Sequence, residues 1–222
     1  MQQSAYPSCW PPQGVIFDLD GLVLDSERIY CRAWQSAAEE LGFLLPGELY
    51  ADLVGIPNTE AEQLLAQTMG YGFPLKDFAA RWRGHWQKMV KSERIPSKPG
   101  FEELIGILRD RHIPCAIATS SDGPDALHCL GERADDFYAI VSRDQVSQGK
   151  PAPDLFLQAA FRLGVEPSAC LALEDSETGL ESACAAGMTV ILVPDLKPPS
   201  EKAYSQAFRV YPSLLEVCGL FG

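Results

Sequence analysis

A chain of 222 residues, 46% hydrophobic and 22% charged, has the make-up of a globular protein long enough to bury a sizeable core, as one large domain or a core with an inserted module. Its formal net charge of −12 argues against nucleic-acid and anionic-membrane partners. The seven cysteines are scattered, odd in number and without CxxC spacing, which indicates neither a disulfide framework nor a zinc site. No early segment joins a basic start to an apolar run, and no stretch is long enough to span a bilayer, so a cytoplasmic monomer is the expectation.

Met1 to Gln13 is polar and proline-bearing and reads as a loose arm. Val15-Ile16-Phe17 follows, a short apolar run of the kind buried on both faces of a parallel sheet, and it ends on two carboxylates, Asp18 and Asp20. Ser26 is placed to cap a helix running to about Leu41, with Ile29, Tyr30, Ala33, Trp34, Ala37 and Ala38 at helical spacing before Gly42. A shorter helix is expected over Glu48 to Val54, then a turn at Gly55-Ile56-Pro57-Asn58, with Asn58 capping a helix from Thr59 to Met69. A fourth helix follows Pro74, with Phe78, Trp82, Trp86, Met89 and Val90 on one face. Four helices without a strand mark an inserted module, and Ile95 to Gly100 is the return linker.

Strand–helix alternation then resumes. A helix is expected over Phe101 to His112, a strand over Pro114 to Thr119, a short helix near Asp125 to Leu130 and a strand around Tyr138 to Val141. Asp154 is placed to cap a helix through Leu163; Cys170 to Glu174 reads as a strand, Ser176 to Ala186 as a helix ended by Gly187, and Thr189 to Val193 as a fifth strand. This pattern predicts an α/β fold, a doubly wound parallel sheet interrupted by an α-helical insert.

Chemistry collects at the strand ends, where open α/β sheets bind ligands. Asp18 and Asp20 end the first strand, although Asp20-Gly21 taken alone is an ordinary turn dipeptide. Glu174 and Asp175 end the fourth, although a strand end followed by a helix cap also explains them. If the two strands are neighbours, four carboxylates meet and cannot all ionise without a cation; an all-oxygen set suits magnesium, which would also reconcile an acidic protein with an anionic ligand. Thr119 and Ser120 offer hydroxyls to phosphate oxygens or, more commonly, to a turn. Lys150 precedes the stiff Pro151-Ala152-Pro153-Asp154 turn and is either a surface lysine or the charge that balances the carboxylates. The basic run from Lys76 to Arg94 with Trp82 and Trp86 is a helix with one apolar and one solvated face, or a positive lip for anionic substrates. His85, His112 and His128 lack metal-ligand spacing.

Four motifs now stand in order: Asp18-Leu19-Asp20-Gly21, Ala118-Thr119-Ser120, Gly149-Lys150-Pro151-Ala152-Pro153-Asp154 and Glu174-Asp175-Ser176. Together they resemble the haloacid dehalogenase superfamily, and the insert after the first motif resembles the cap of its β-phosphoglucomutase-like branch. The resemblance implies a Rossmann-like core of residues 1–24 and 97–222 and a helical cap of residues 25–96. It implies a magnesium-dependent phosphatase in which Asp18 attacks phosphorus, Asp20 is the acid and base, and Thr119, Ser120 and Lys150 hold phosphoryl oxygens. Magnesium would be held by the Asp18 carboxylate, the Asp20 carbonyl and Asp175, with Glu174 near its water shell. The cap would close over the site, with the loop from Val54 to Asn58 setting specificity for a small phosphorylated metabolite. Dehalogenases of the family lack the second aspartate, which is present here. β-Phosphoglucomutases have a histidine where this chain has Tyr30 and a lysine where it has Asp122. A sugar or nucleoside phosphatase is therefore favoured over a phosphosugar mutase and over a non-catalytic binding module on the same fold.

Overall fold

The computed structural model describes residues 10–54 and 58–222. Its sheet is assembled from β1 (Gly14–Phe17), β2 (Cys115–Ala118), β3 (Ala139–Val141), β4 (Cys170–Glu174), β5 (Thr189–Leu192) and β6 (Arg209–Val210). These strands are parallel in the order β3-β2-β1-β4-β5-β6. The chain builds outward from β1 through β2 and β3, then crosses to the other side of β1 for β4. The order thus reverses between β1 and β4, and the crevice beyond their carboxyl ends is where such a sheet takes ligands.

Alternation decides which side chains meet. Ile16 of β1, Ala116 and Ala118 of β2 and Ala172 of β4 face one core cluster with Leu155, Phe156, Ala159 and Ala160 of α7 (Asp154–Leu163) and Leu180 and Ala183 of α8 (Glu177–Ala185). On the opposite face, Phe17 packs edge-on against Phe101 of α5 (Phe101–Asp110) and against Phe137, at centroid separations of 6.2 and 5.8 Å. Both sheet faces are therefore covered, which is why the strands read as unbroken apolar runs.

Contacts divide the chain into two compact units, one running up to Leu24 and continuing from Ser97 to Gly222, the other Asp25–Pro96. The second unit contains α1 (Glu27–Glu40), α2 (Gly47–Leu53), α3 (Asn58–Met69) and α4 (Leu75–Ser92). Trp34 of α1 packs on Phe78 and Trp82 of α4 at 5.2 and 5.6 Å, so it is a core residue of this unit. Two charges of the basic run on α4 are paired within this unit. Arg81 pairs with Glu40 at 2.7 Å and Arg83 with Glu62 at 2.8 Å, while Trp82 and Trp86 are buried.

Several expectations are corrected. α6 (Gly123–Leu130) begins ahead of Asp125, with Asp122 at its N-cap position. Pro153 stands at the N-cap of α7, and the Asp154 carboxylate instead accepts from the Gln148 amide at 3.2 Å. Beyond Val193 the sequence pattern marks no element, yet α9 (Glu201–Gln206), β6 and α10 (Leu214–Cys218) are present. The described end of the N-terminal arm is not loose: the Gln13 amide bonds the Ala169 carbonyl at 2.9 Å, and Trp10 packs on Phe221 at 4.9 Å. The expected turn at Gly55-Ile56-Pro57, the Asn58 side-chain cap and Cys9 lie outside the described residues. Among the described residues, no helix is long and apolar enough to cross a membrane.

Candidate active site

Phe17 and Leu173 are partners in the β1–β4 ladder, and the Asp18 amide bonds the Leu173 carbonyl at 3.0 Å. The next residues along, Asp18 and Glu174, therefore stand side by side on the face covered by α7 and α8. Both are buried, Asp18 at 6% and Glu174 at 0% exposure. Lys150 reaches them from the loop before α7. Its Nζ donates to Asp18 Oδ1 and, at 2.5 Å, to Glu174 Oε1, and it lies 5.2 Å from the Phe156 ring centre. The loop is pinned to α8 by the buried Ser182 hydroxyl, which donates to the Ala152 carbonyl at 2.6 Å.

One ammonium serves two buried carboxylates, and the imbalance falls on Asp18. Burial, opposed by Lys150 and reinforced by the charges of Glu174 and Asp20, pushes its carboxyl up to about 8. Burial alone would discharge Lys150, but the two carboxylates outweigh it and raise its pKa, so the lysine stays cationic.

Glu174 is held through both of its carboxylate oxygens. Its Oε1 faces Lys150, and its Oε2 accepts from the amides of Asp175 and Ser176 at 3.1 and 3.3 Å and from the Ser176 hydroxyl at 3.1 Å. Ser176 in turn caps α8 by accepting from the Gly179 amide at 3.1 Å. The carboxylate fits there because residue 179 is glycine. A Cβ at that position would stand 1.9 Å from Glu174 Cδ and Oε1. Gly179→Ala should therefore displace the Glu174 head, lowering stability by roughly 1–3 kcal/mol, as overpacked interiors do, and lowering turnover with it. Thermal denaturation and initial rates check this together.

Asp20 lies in the tight turn after β1, where the Gly21 amide bonds the Leu24 carbonyl at 2.9 Å and Gly21 adopts φ +86°. Its Oδ2 accepts from the Ser121 hydroxyl at 2.6 Å. Thr119 is fully buried at the end of β2, and its Oγ1 accepts from the Ser121 amide at 3.0 Å. Ser120 is exposed, so the hydroxyl that reaches the acidic cluster is that of Ser121. The sequence points to Thr119 and Ser120 and misses Ser121, whose hydroxyl is the next one along the same run. Asp175 packs against the same turn: a Cβ on Gly21 would stand 2.3 Å from Asp175 Oδ2.

These groups form a strand-end cluster with a nucleophile candidate, a cation bound to it, a second carboxylate held by a hydroxyl and a third against the turn. The family model described as haloacid dehalogenase-like hydrolase matches residues 15–193. The probable pseudouridine-5'-phosphatase of Drosophila melanogaster is 32% identical over 210 residues, covering 90% of this chain and 89% of the relative. The β-phosphoglucomutase of Bacillus subtilis (strain 168) is 33% identical over 194 residues, covering 84% and 85%. Further curated relatives carry phosphatase names. The crystal structure of CbbY from Rhodobacter sphaeroides in complex with phosphate superposes with a TM-score of 0.79 at 25% identity, covering 93% of this chain and 96% of that one. The chain belongs to the haloacid dehalogenase-like hydrolase family.

Proposed function

We propose that the protein is a magnesium-dependent phosphatase of small phosphomonoesters, sugar phosphates or nucleoside monophosphates, working through an aspartyl phosphate on Asp18. The observation that carries this reading is the Lys150 ammonium held between Asp18 and Glu174 at the switch point of the sheet. In the first half-reaction an Asp18 carboxylate oxygen bonds to phosphorus as the ester P–O bond breaks, and Asp20 gives its proton to the departing alkoxide. In the second, Asp20 takes a proton from water as that water attacks phosphorus, releasing phosphate and restoring the Asp18 carboxylate. Lys150 offsets phosphoryl charge, and Glu174 holds Lys150 in place.

Magnesium suits the donors available. Asp18, Asp175 and the Asp20 carbonyl offer two carboxylates and one backbone oxygen, the kind of incomplete set magnesium accepts while keeping waters and substrate oxygens. The raised pKa of Asp18 marks the charge deficit a cation would correct. Bound there, magnesium would supply positive charge to the phosphoryl oxygens beside Asp18.

A mutase is the second reading, favoured by the relationship to β-phosphoglucomutase. Two residues speak against it: Tyr30 is stacked on Trp86 at 5.3 Å, and Asp122 stands at the N-cap of α6, where the mutases carry histidine and lysine. A panel of phosphomonoesters assayed with magnesium and with excess chelator tests the proposal. Phosphate release with the metal and none without it is expected, and silence across the panel would retire the phosphatase reading. Asp20→Asn refines the test. Turnover of an alkyl phosphate should fall by roughly 10²–10⁴-fold, the usual worth of a general acid–base group. An aryl phosphate such as p-nitrophenyl phosphate should suffer much less in its first step, because that leaving group departs without a proton.

A further inference from the structure

We infer that Asp195 is a positioning residue of the magnesium site, with Oδ2 accepting a hydrogen bond from a water that the cation holds; the inference rests on the magnesium-phosphatase reading above. Asp195 lies just beyond β5, whose end is tied to β4 through the Val193 amide on the Glu174 carbonyl at 2.7 Å. Its side chain is 7% exposed, and its Oδ1 faces the Lys98 ammonium at 2.5 Å. Its Oδ2 is buried without a hydrogen-bond partner among the described residues.

The direction of that oxygen points to its use. A Cβ on Gly21 would stand 2.3 Å from Asp175 Oδ2 and 3.3 Å from Asp195 Oδ2. Two carboxylates from the ends of β4 and β5 thus converge on the residue after Asp20, whose carbonyl is a proposed ligand. A buried carboxylate oxygen is costly without a donor. Magnesium keeps several of its waters, and those waters are donors. Groups just outside a metal's ligands orient them, and their removal typically costs about 10–100-fold in metal affinity. Lys98 fixes the other oxygen, and its own amide bonds the Val23 carbonyl at 2.9 Å, which ties it to the same turn.

Lys98 and the hydrated cation would then neutralise one carboxylate from two sides, and this separates the proposal from a plain ion pair. Magnesium alone, without substrate, is titrated into the full-length protein by calorimetry, with the magnesium-induced rise in Tm measured in parallel. Asp195→Asn should weaken magnesium binding by about 10-fold and shrink the Tm rise. Lys98→Met should tighten binding severalfold and enlarge the rise, because the cation becomes the main positive neighbour of Asp195. Lys98→Arg should bind as the native protein does. Unchanged affinity in Asp195→Asn, or equal losses in Asp195→Asn and Lys98→Met, would make the pair a structural tie and overturn the inference. Should Lys98→Met fail to fold, the isosteric Asp195→Asn alone decides. If the native protein itself gives neither heat nor a Tm rise with magnesium, the metal reading falls, and this inference falls with it.

Discussion

Asp18→Asn should abolish turnover, by roughly 10⁴-fold or more as for other lost nucleophiles, while making the metal-free protein more stable at pH 8. The two effects have one cause. Asp18 is buried beside Glu174 and Asp20, and its carboxyl is held up at about 8. In the unfolded chain the same group titrates near the ordinary aspartate value of 3.8. The folded state therefore keeps a proton that the unfolded chain has already released. That contribution to stability is complete below about pH 4 and is lost as pH rises through 8. An amide at this position keeps an oxygen for Lys150 and removes the titration. The gain should grow with pH between 4 and 8 to a few kcal/mol, read as a rise of several degrees in Tm at pH 8, and it should vanish near pH 4. Magnesium should stabilise the native protein more as pH rises from 6 to 8, since it displaces a proton from Asp18, and should do far less for Asp18→Asn. A variant equally destabilised at both pH values would contradict the charge imbalance described for the site.

Why the sequence already contains this much of the site follows from the β1 and β4 runs. Val15-Ile16-Phe17 and Cys170-Leu171-Ala172-Leu173 are apolar at every position because both sheet faces are covered, so their ends, and the acids on those ends, are unmistakable. Adjacency of β1 and β4 then places Asp18 beside Glu174 with no further information. What stayed illegible depends on turn geometry or on very short elements. Ser121, rather than Ser120, reaches Asp20 because of how the chain turns after Thr119. Glu174 reads as one more acid, and only its hydrogen bonds reveal a residue that holds Lys150. β6 is two residues long and α10 five, below the length at which a hydrophobic period can be recognised. Asp195 sits in Val193-Pro194-Asp195, which looks like any exposed loop until its burial and the Lys98 contact are seen.

Lys150→Met should be the most damaging single change to the fold among the site residues. It leaves the fully buried Glu174 and the nearly buried Asp18 facing each other without their shared cation. Removing one partner of a buried ion pair typically costs about 3–5 kcal/mol. Asp18 already holds its proton below about pH 8, so the charge stranded there is that of Glu174, and the deficit against the native protein should grow as pH rises past 8. Adding Glu174→Gln to Lys150→Met should recover a large share of the stability, since the remaining buried charge is then removed rather than stranded. Glu174→Gln alone should cost less than Lys150→Met, because Lys150 keeps Asp18 and the Asp175 and Ser176 amides keep an oxygen acceptor. Activity should follow a different order: the double variant, although refolded, lacks the ammonium proposed to offset phosphoryl charge and should stay inactive. Urea unfolding of the four proteins gives the coupling energy directly, and an additive cycle would mean that Lys150 and Glu174 do not share the charge balance that the site is built on.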